Sequence, residues 1–228
     1  MKYIIANWKM NMNQNEVLWW LDAFSEVYQP KENVTVSIAP SYLHIPTVQQ
    51  KLLDLGLSNS IELASQDISA FEKGKFTGEV GGFQLTDYGV QSVIIGHSER
   101  RTNQAESNET INLKINQAMN YQLLPVIAVS NLDQVKFIKK SNLSGRFIVA
   151  YEPIEAIGTG NPASVESVHS FLSAIKSEVG ESVATIYGGS IDRDTVGAFL
   201  TDNLIEGFLV GSAALDPQEF WSIISQVA

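Results

Sequence analysis

The sequence predicts an α/β fold, a single-domain (β/α)8 barrel over residues 1–228, on three observations. Short apolar runs alternate with longer amphipathic ones, in eight pairs. The runs are nearly continuous in their apolar character, as strands are when helices cover both faces of a parallel sheet. The polar residues able to do chemistry fall just past the ends of those runs, where barrel enzymes keep their sites. Eight repeats of one unit favour closure over an open sheet.

In chain order, strand one is expected at 3–7 and its helix at 15–27. Trp19 and Trp20 on that helix are adjacent, so one ring should face the barrel and the other stay partly exposed. Strand two is expected at 34–39 with a helix at 42–55, and strand three at 61–65 with a helix at 81–88. Residues 66–79 between them are too many for an ordinary turn, and such loops in compact domains are usually functional. Strand four is expected at 92–96, with a short helix start at Ser98 and a longer helix at 107–121. Strand five follows at 124–129, and Asn131 to Gly145 must then hold a helix at 132–139 and two turns, so that helix should be trimmed. Strand six at 147–151, strand seven at 184–188 and strand eight at 207–210 are each followed by a helix, at 163–179, 194–200 and 216–226. His44 and His169 lie on helix-like stretches and are read as surface or boundary residues.

Composition narrows the function. At 228 residues, 44% hydrophobic and 18% charged, the chain can bury one large core. It has no cysteine, so neither a disulfide framework nor a thiolate metal site is possible, and no metal-ligand cluster or cofactor is expected. A net charge of −10 argues against nucleic acid, and no run is long enough to span a bilayer. The expected compartment is the cytoplasm. The start at Met1 enters a strand without a signal-peptide core, so the glycosylation patterns at Asn33, Asn108 and Asn142 carry no weight. Gly158-Thr159-Gly160 follows a strand-six loop and is not a dinucleotide fingerprint.

The most informative stretch runs from Val149 to Gly160. A buried strand ends at the carboxylate of Glu152, and Pro153, with no N–H for the ladder, stops it. A segment from Pro153 to Gly160 follows, stiff at its start and permissive at Gly158 and Gly160. A carboxylate on a rigid strand beneath such a segment reads as a general base under a lid. Taken alone, Glu152 fits a salt-bridged strand-end glutamate about equally well.

The run Ala150-Tyr151-Glu152-Pro153, closed by Ala156-Ile157-Gly158-Thr159-Gly160, resembles the base and lid segment of the triosephosphate isomerase family. Asn7-Trp8-Lys9, Gly96-His97-Ser98-Glu99-Arg100-Arg101 and Tyr187-Gly188-Gly189-Ser190 agree with that family in the same order. Four motifs spaced by strand–helix units cover nearly the whole chain. The resemblance implies a TIM barrel, a cofactor-free aldose–ketose isomerisation of a triose phosphate, and roles for particular residues. Glu152 would move a proton between neighbouring carbons, with a pKa raised by burial. His97 would donate to the oxygens of the enediolate, kept neutral by the helix starting at Ser98. A neutral histidine in this role is a known property of the family, so it comes with the resemblance and not from the spacing. Lys9 would stabilise developing negative charge, Asn7 would orient it, and Glu99 would support it.

The phosphate would be held by backbone N–H groups at Gly189, Ser190, Gly211 and Ser212, with Gly158 adding one when the lid shuts. The family pattern also implies a homodimer through residues 66–79, with Thr77 at the loop tip steadying Asn7 and Lys9 of the neighbour. A surface Ω-loop without a partner is the alternative. Three places depart from the pattern: Glu155 stands where the family has a tryptophan, Ser212 replaces a second glycine, and Ala128-Val129-Ser130-Asn131 lacks the usual cysteine and closing acid.

Overall fold

The structure, a computed structural model, describes residues 1–141, 143, 145–154, 162–201 and 203–227. Eight parallel strands close into a barrel in sequence order: β1 (Lys2–Asn7), β2 (Val34–Ala39), β3 (Ile61–Ser65), β4 (Val90–Ile95), β5 (Leu124–Val129), β6 (Ile148–Tyr151), β7 (Ala184–Tyr187) and β8 (Gly207–Val210). Ile4 of β1 stands opposite Val36 on one side and Phe208 on the other, so the sheet has no free edge. The predicted barrel is the observed one, with strand limits shifted by a residue or two.

Alternation along each strand divides the core in two. Tyr3, Ile5, Ala64, Ile94, Val126, Ile148, Ile186 and Leu209 fill the inside of the barrel. Their neighbours Ile4, Val36, Val93, Ile127, Val149 and Phe208 turn outward to the helices. Gly207 closes the seam between β8 and β1. A Cβ there would sit 1.9 Å from the Tyr3 carbonyl oxygen, so only glycine lets the two backbones meet.

Helix α1 (Gln14–Val27) begins with a capping box: the Asn13 side chain accepts from the Asn15 and Glu16 N–H groups, and Glu16 accepts from the Asn13 N–H. Val17, Trp20, Leu21 and Phe24 form its buried stripe. As expected for adjacent residues, Trp20 is fully buried while Trp19 is 60% exposed. The Trp20 indole N–H donates to the Ala214 carbonyl at 3.1 Å, tying the first helix to the loop after β8. The helix expected at 42–55 is divided into a 3-10 turn, Tyr42–His44, and α2 (Ile45–Asp54), because Pro46 suits a first turn and has no N–H with which to continue one. His44 is half-buried with its Nε2 3.1 Å from the Met12 carbonyl, a boundary position as read.

Helix α3 (Gly82–Asp87) precedes β4, and two helices follow it, α4 (Ser98–Asn103) and α5 (Asn108–Asn120). Helix α6 (Leu132–Lys140) has nine residues, in line with the trimming expected there. Asn131 caps it by accepting from the Gln134 N–H, and the Gln134 side chain accepts from the Ser130 N–H. Helices α7 (Val165–Val179) and α8 (Pro217–Gln226) complete the outer layer. The helix expected at 194–200 is not formed, and a 3-10 turn of four residues, Val196–Phe199, takes its place. The Asp192 carboxylate competes for the backbone there, accepting from the Asp194 and Thr195 N–H groups and the Thr195 hydroxyl, and Gly197 disfavours extension.

Candidate active site

Parallel strands bring all their C-terminal ends to one rim. Asn7, Lys9, His97, Glu152, Ser190, Gly211 and Ser212 line a single cavity of about 640 Å³ there.

Glu152 follows β6 directly and its N–H donates to the Val129 carbonyl, which fixes it against β5. The residue is 1% exposed. One carboxylate oxygen, Oε2, accepts the Ser98 N–H at 2.9 Å, and the other, Oε1, lies 2.9 Å from His97 Nε2. Burial alone pushes this carboxyl upward. The adjacent His97 with its hydrogen bond, and the bond from Ser98, outweigh burial and hold it below the ordinary glutamate range. That corrects the expectation of a raised value: two donors reach the buried carboxylate, and strand and lid alone account only for the loss of water.

His97 is the N-cap of α4 and is buried. Its Nδ1 accepts the Glu99 N–H at 3.2 Å. An accepting Nδ1 carries no proton, so the neutral ring has its N–H on Nε2, aimed at Glu152. The helix start expected at Ser98 therefore selects the tautomer through one backbone N–H.

Lys9 adopts φ 52°, a left-handed conformation uncommon for a residue with a side chain. Three contacts hold it: its N–H donates to Asn7 Oδ1 at 3.1 Å, its carbonyl accepts from Gln66 Nε2 at 2.9 Å, and its Nζ reaches Glu99 Oε1 at 2.6 Å. Glu99 lies outside the cavity lining and meets it through Lys9 and His97. Across the cavity, Gly189 is packed on its own strand. A Cβ would fall 2.1 Å from the Tyr187 hydroxyl, so no other residue fits. Ser190 is half-buried, and Gly211 and Ser212 open the 3-10 turn Ser212–Leu215 after β8.

The profile of the triosephosphate isomerase family matches residues 2–227. The chain belongs to the triosephosphate isomerase family. It is 37% identical to the triosephosphate isomerase of Mesomycoplasma hyopneumoniae strain 232, over 98% of each chain. It is 32% identical to those of Dictyoglomus thermophilum, over 98% of each chain, and Mycoplasma pneumoniae, over 96% of each. Membership makes it an isomerase on a TIM barrel. No helix among the described residues is long and apolar enough to cross a membrane.

Several residues of this rim have roles that the sequence does not announce. Gln66 braces Lys9 and also donates to the Ala39 carbonyl, although its position in the sequence marks only the start of a loop. The Tyr187 hydroxyl accepts the Ala163 N–H at 3.0 Å. Asp192, Arg193 and Asp194 form one cavity wall, where Arg193 is engaged by Glu219 of α8. The charged run Asp192-Arg193-Asp194, one residue past Gly189-Ser190, is the available signal for that wall. Gly158, Glu155 and the rest of 155–161 lie outside the described residues.

Proposed function

We propose that this chain interconverts dihydroxyacetone phosphate and D-glyceraldehyde 3-phosphate through an enediolate, using no cofactor. Substrate entering the cavity takes the Nε2–H of His97 onto its carbonyl oxygen. Glu152, released from that bond, removes the proton from the neighbouring carbon. The enediolate is stabilised by the His97 N–H and the Lys9 ammonium. His97 passes a proton between the two oxygens, and Glu152 returns its own to the other carbon, so charge and atoms balance. Asn7 keeps Lys9 in its left-handed conformation, and Glu99 holds the ammonium in place.

The phosphate is held by N–H groups of Ser190, Gly211 and Ser212, with Gly158 added as residues 153–160 close over the site. Closure excludes water, which favours proton return over loss of phosphate.

The observation that carries this reading is the 2.9 Å approach of His97 Nε2 to Glu152 Oε1 in a cavity that Lys9 also lines. The test is a coupled assay of glyceraldehyde 3-phosphate turnover, repeated with Glu152→Asp. Turnover by the native chain that collapses in the variant supports the reading, and absence of turnover in the native chain overturns it.

The working unit we propose is a homodimer. Residues 71–79 are exposed throughout, with Phe71 and Phe76 stacked at 4.0 Å, and such an aromatic pair on a protruding loop suits burial against a second copy.

A further inference from the structure

A second cavity, of about 390 Å³, opens at the other mouth of the barrel, where the strands begin. Several inward-facing positions at this end are polar, although Leu124 and Ala184 beside them and most positions at mid-barrel are aliphatic. Glu62 stands two residues before inward Ala64, Ser92 two before Ile94, and Arg146 two before Ile148. Glu62 and Arg146 both line the cavity, yet among the described residues no ion pair within 4.0 Å joins them. The Glu62 carboxylate reaches the Ser37 hydroxyl at 3.5 Å, the outer limit of a hydrogen bond. Arg146 donates to the Tyr3 hydroxyl, with its guanidinium carbon 5.8 Å from the centre of that ring.

Burial raises the Glu62 carboxyl above its usual range, by more than Ser37 and Arg146 lower it. That is the behaviour of a carboxylate short of a close cation. Met119, Leu123 and Leu124 give the cavity an apolar patch beside Gln91, Gln122 and Gly145. Ser92, beside Leu124 in the β4–β5 register, has a buried hydroxyl with no hydrogen-bond partner among the described residues.

We propose that this mouth binds an apolar α-amino acid, with its ammonium on Glu62, its carboxylate on Arg146 and its side chain against Met119 and Leu124. Two opposite charges that are not paired with each other, in one cavity with an apolar patch, match the two ends and the side chain of an apolar zwitterion. A lone carboxylate would face repulsion from Glu62, and a lone amine would face it from Arg146. The site lies at the opposite end of the barrel from the candidate active site and does not depend on the reaction proposed there.

Isothermal titration of the full chain with L-leucine tests this, alongside L-leucinamide, which lacks the carboxylate, and 4-methylpentanoate, which lacks the ammonium. The expected result is saturable binding of L-leucine, weaker by about tenfold or more for either analogue. Glu62→Gln and Arg146→Gln should weaken it similarly, with saturating inorganic phosphate making no difference. No saturable binding, equal binding of the analogues, indifference to both substitutions, or displacement by phosphate would each overturn the proposal. The analogue comparison uses the native chain, so it holds even where a variant folds poorly.

Discussion

His97 Nε2 and Glu152 Oε1 are 2.9 Å apart, and each satisfies the other's hydrogen bond inside a buried site. The nitrogen that would donate to substrate and the carboxylate that would accept its proton are thus partners before substrate arrives. A hydrogen bond to a charged group is worth about 1.5–3 kcal/mol net, and substrate contacts must replace it. Substrate binding and activation of the base are therefore one event.

The position of the carboxylate then matters more than its presence. Glu152→Asp shortens the side chain by one methylene and withdraws it from the substrate carbon. Turnover of glyceraldehyde 3-phosphate should fall by about 10²–10⁴-fold, the usual contribution of a positioned base. The thermal midpoint should move little, since Ser98 still has a carboxylate to cap against. Equal loss of both would point to a structural role.

The depressed pKa of Glu152 gives a pH dependence of definite sign. Its folded value lies below the unfolded one, so its contribution to stability is fully present above the unfolded value, about 4.3 for glutamate. That contribution is lost as pH falls through the folded value. Urea denaturation from neutral to acid pH should show the native chain losing stability over this window more steeply than Glu152→Gln. Parallel curves would mean that the carboxylate does not prefer its folded environment.

The barrel and the meeting of Asn7, Lys9, His97 and Glu152 were legible in the sequence because parallel strands carry every post-strand residue to one rim. Long-range partners were not. Nothing local to Glu152 announces the Ser98 N–H, 54 positions away, and that contact helps reverse its pKa shift. The 194–200 helix failed for a related reason: Asp192 had a side-chain alternative to helical bonding that apolar spacing does not register. Gln66 reads as loop until β1 and β3 are seen to lie close enough for its amide to brace Lys9.

Tyr187 is fully buried, stacks on Phe199 at 4.9 Å and accepts the Ala163 N–H. Ala163 lies just beyond residues 153–160. Tyr187→Phe keeps the stack and removes the hydroxyl, at about 0.5–1.5 kcal/mol for one hydrogen bond. Under the lid reading, kcat should fall several-fold while the fold survives. Unchanged kcat would detach this hydroxyl from lid function.

If residues 71–79 form a dimer contact, a charge at Thr77 should disrupt it. Thr77→Arg should convert a dimeric mass by light scattering into a monomeric one, with lower turnover per chain. A monomeric native protein at working concentration would refute the dimer.

Lys114 of α5 is 4% exposed and bonds both oxygens of Asp67, at 2.7 and 2.6 Å, and Glu106 at 2.5 Å. Arg100 pairs with the same two acids from the other side. Burial holds the Asp67 carboxyl above its ordinary range although Lys114 pulls it down, so the cluster has little cation to spare. Lys114→Met keeps the volume and removes the charge. Two buried carboxylates would then share one guanidinium, at a cost of about 3–5 kcal/mol at neutral pH. The sign with pH follows: Asp67 would rise further, and a raised acid binds more protons folded than unfolded, so stability falls as pH climbs through that window. The deficit measured by urea denaturation should therefore be largest near neutrality and shrink as the pH is lowered and Asp67 takes up a proton. A deficit that stays constant across this range would mean that Lys114 stabilises by packing, with its charge immaterial.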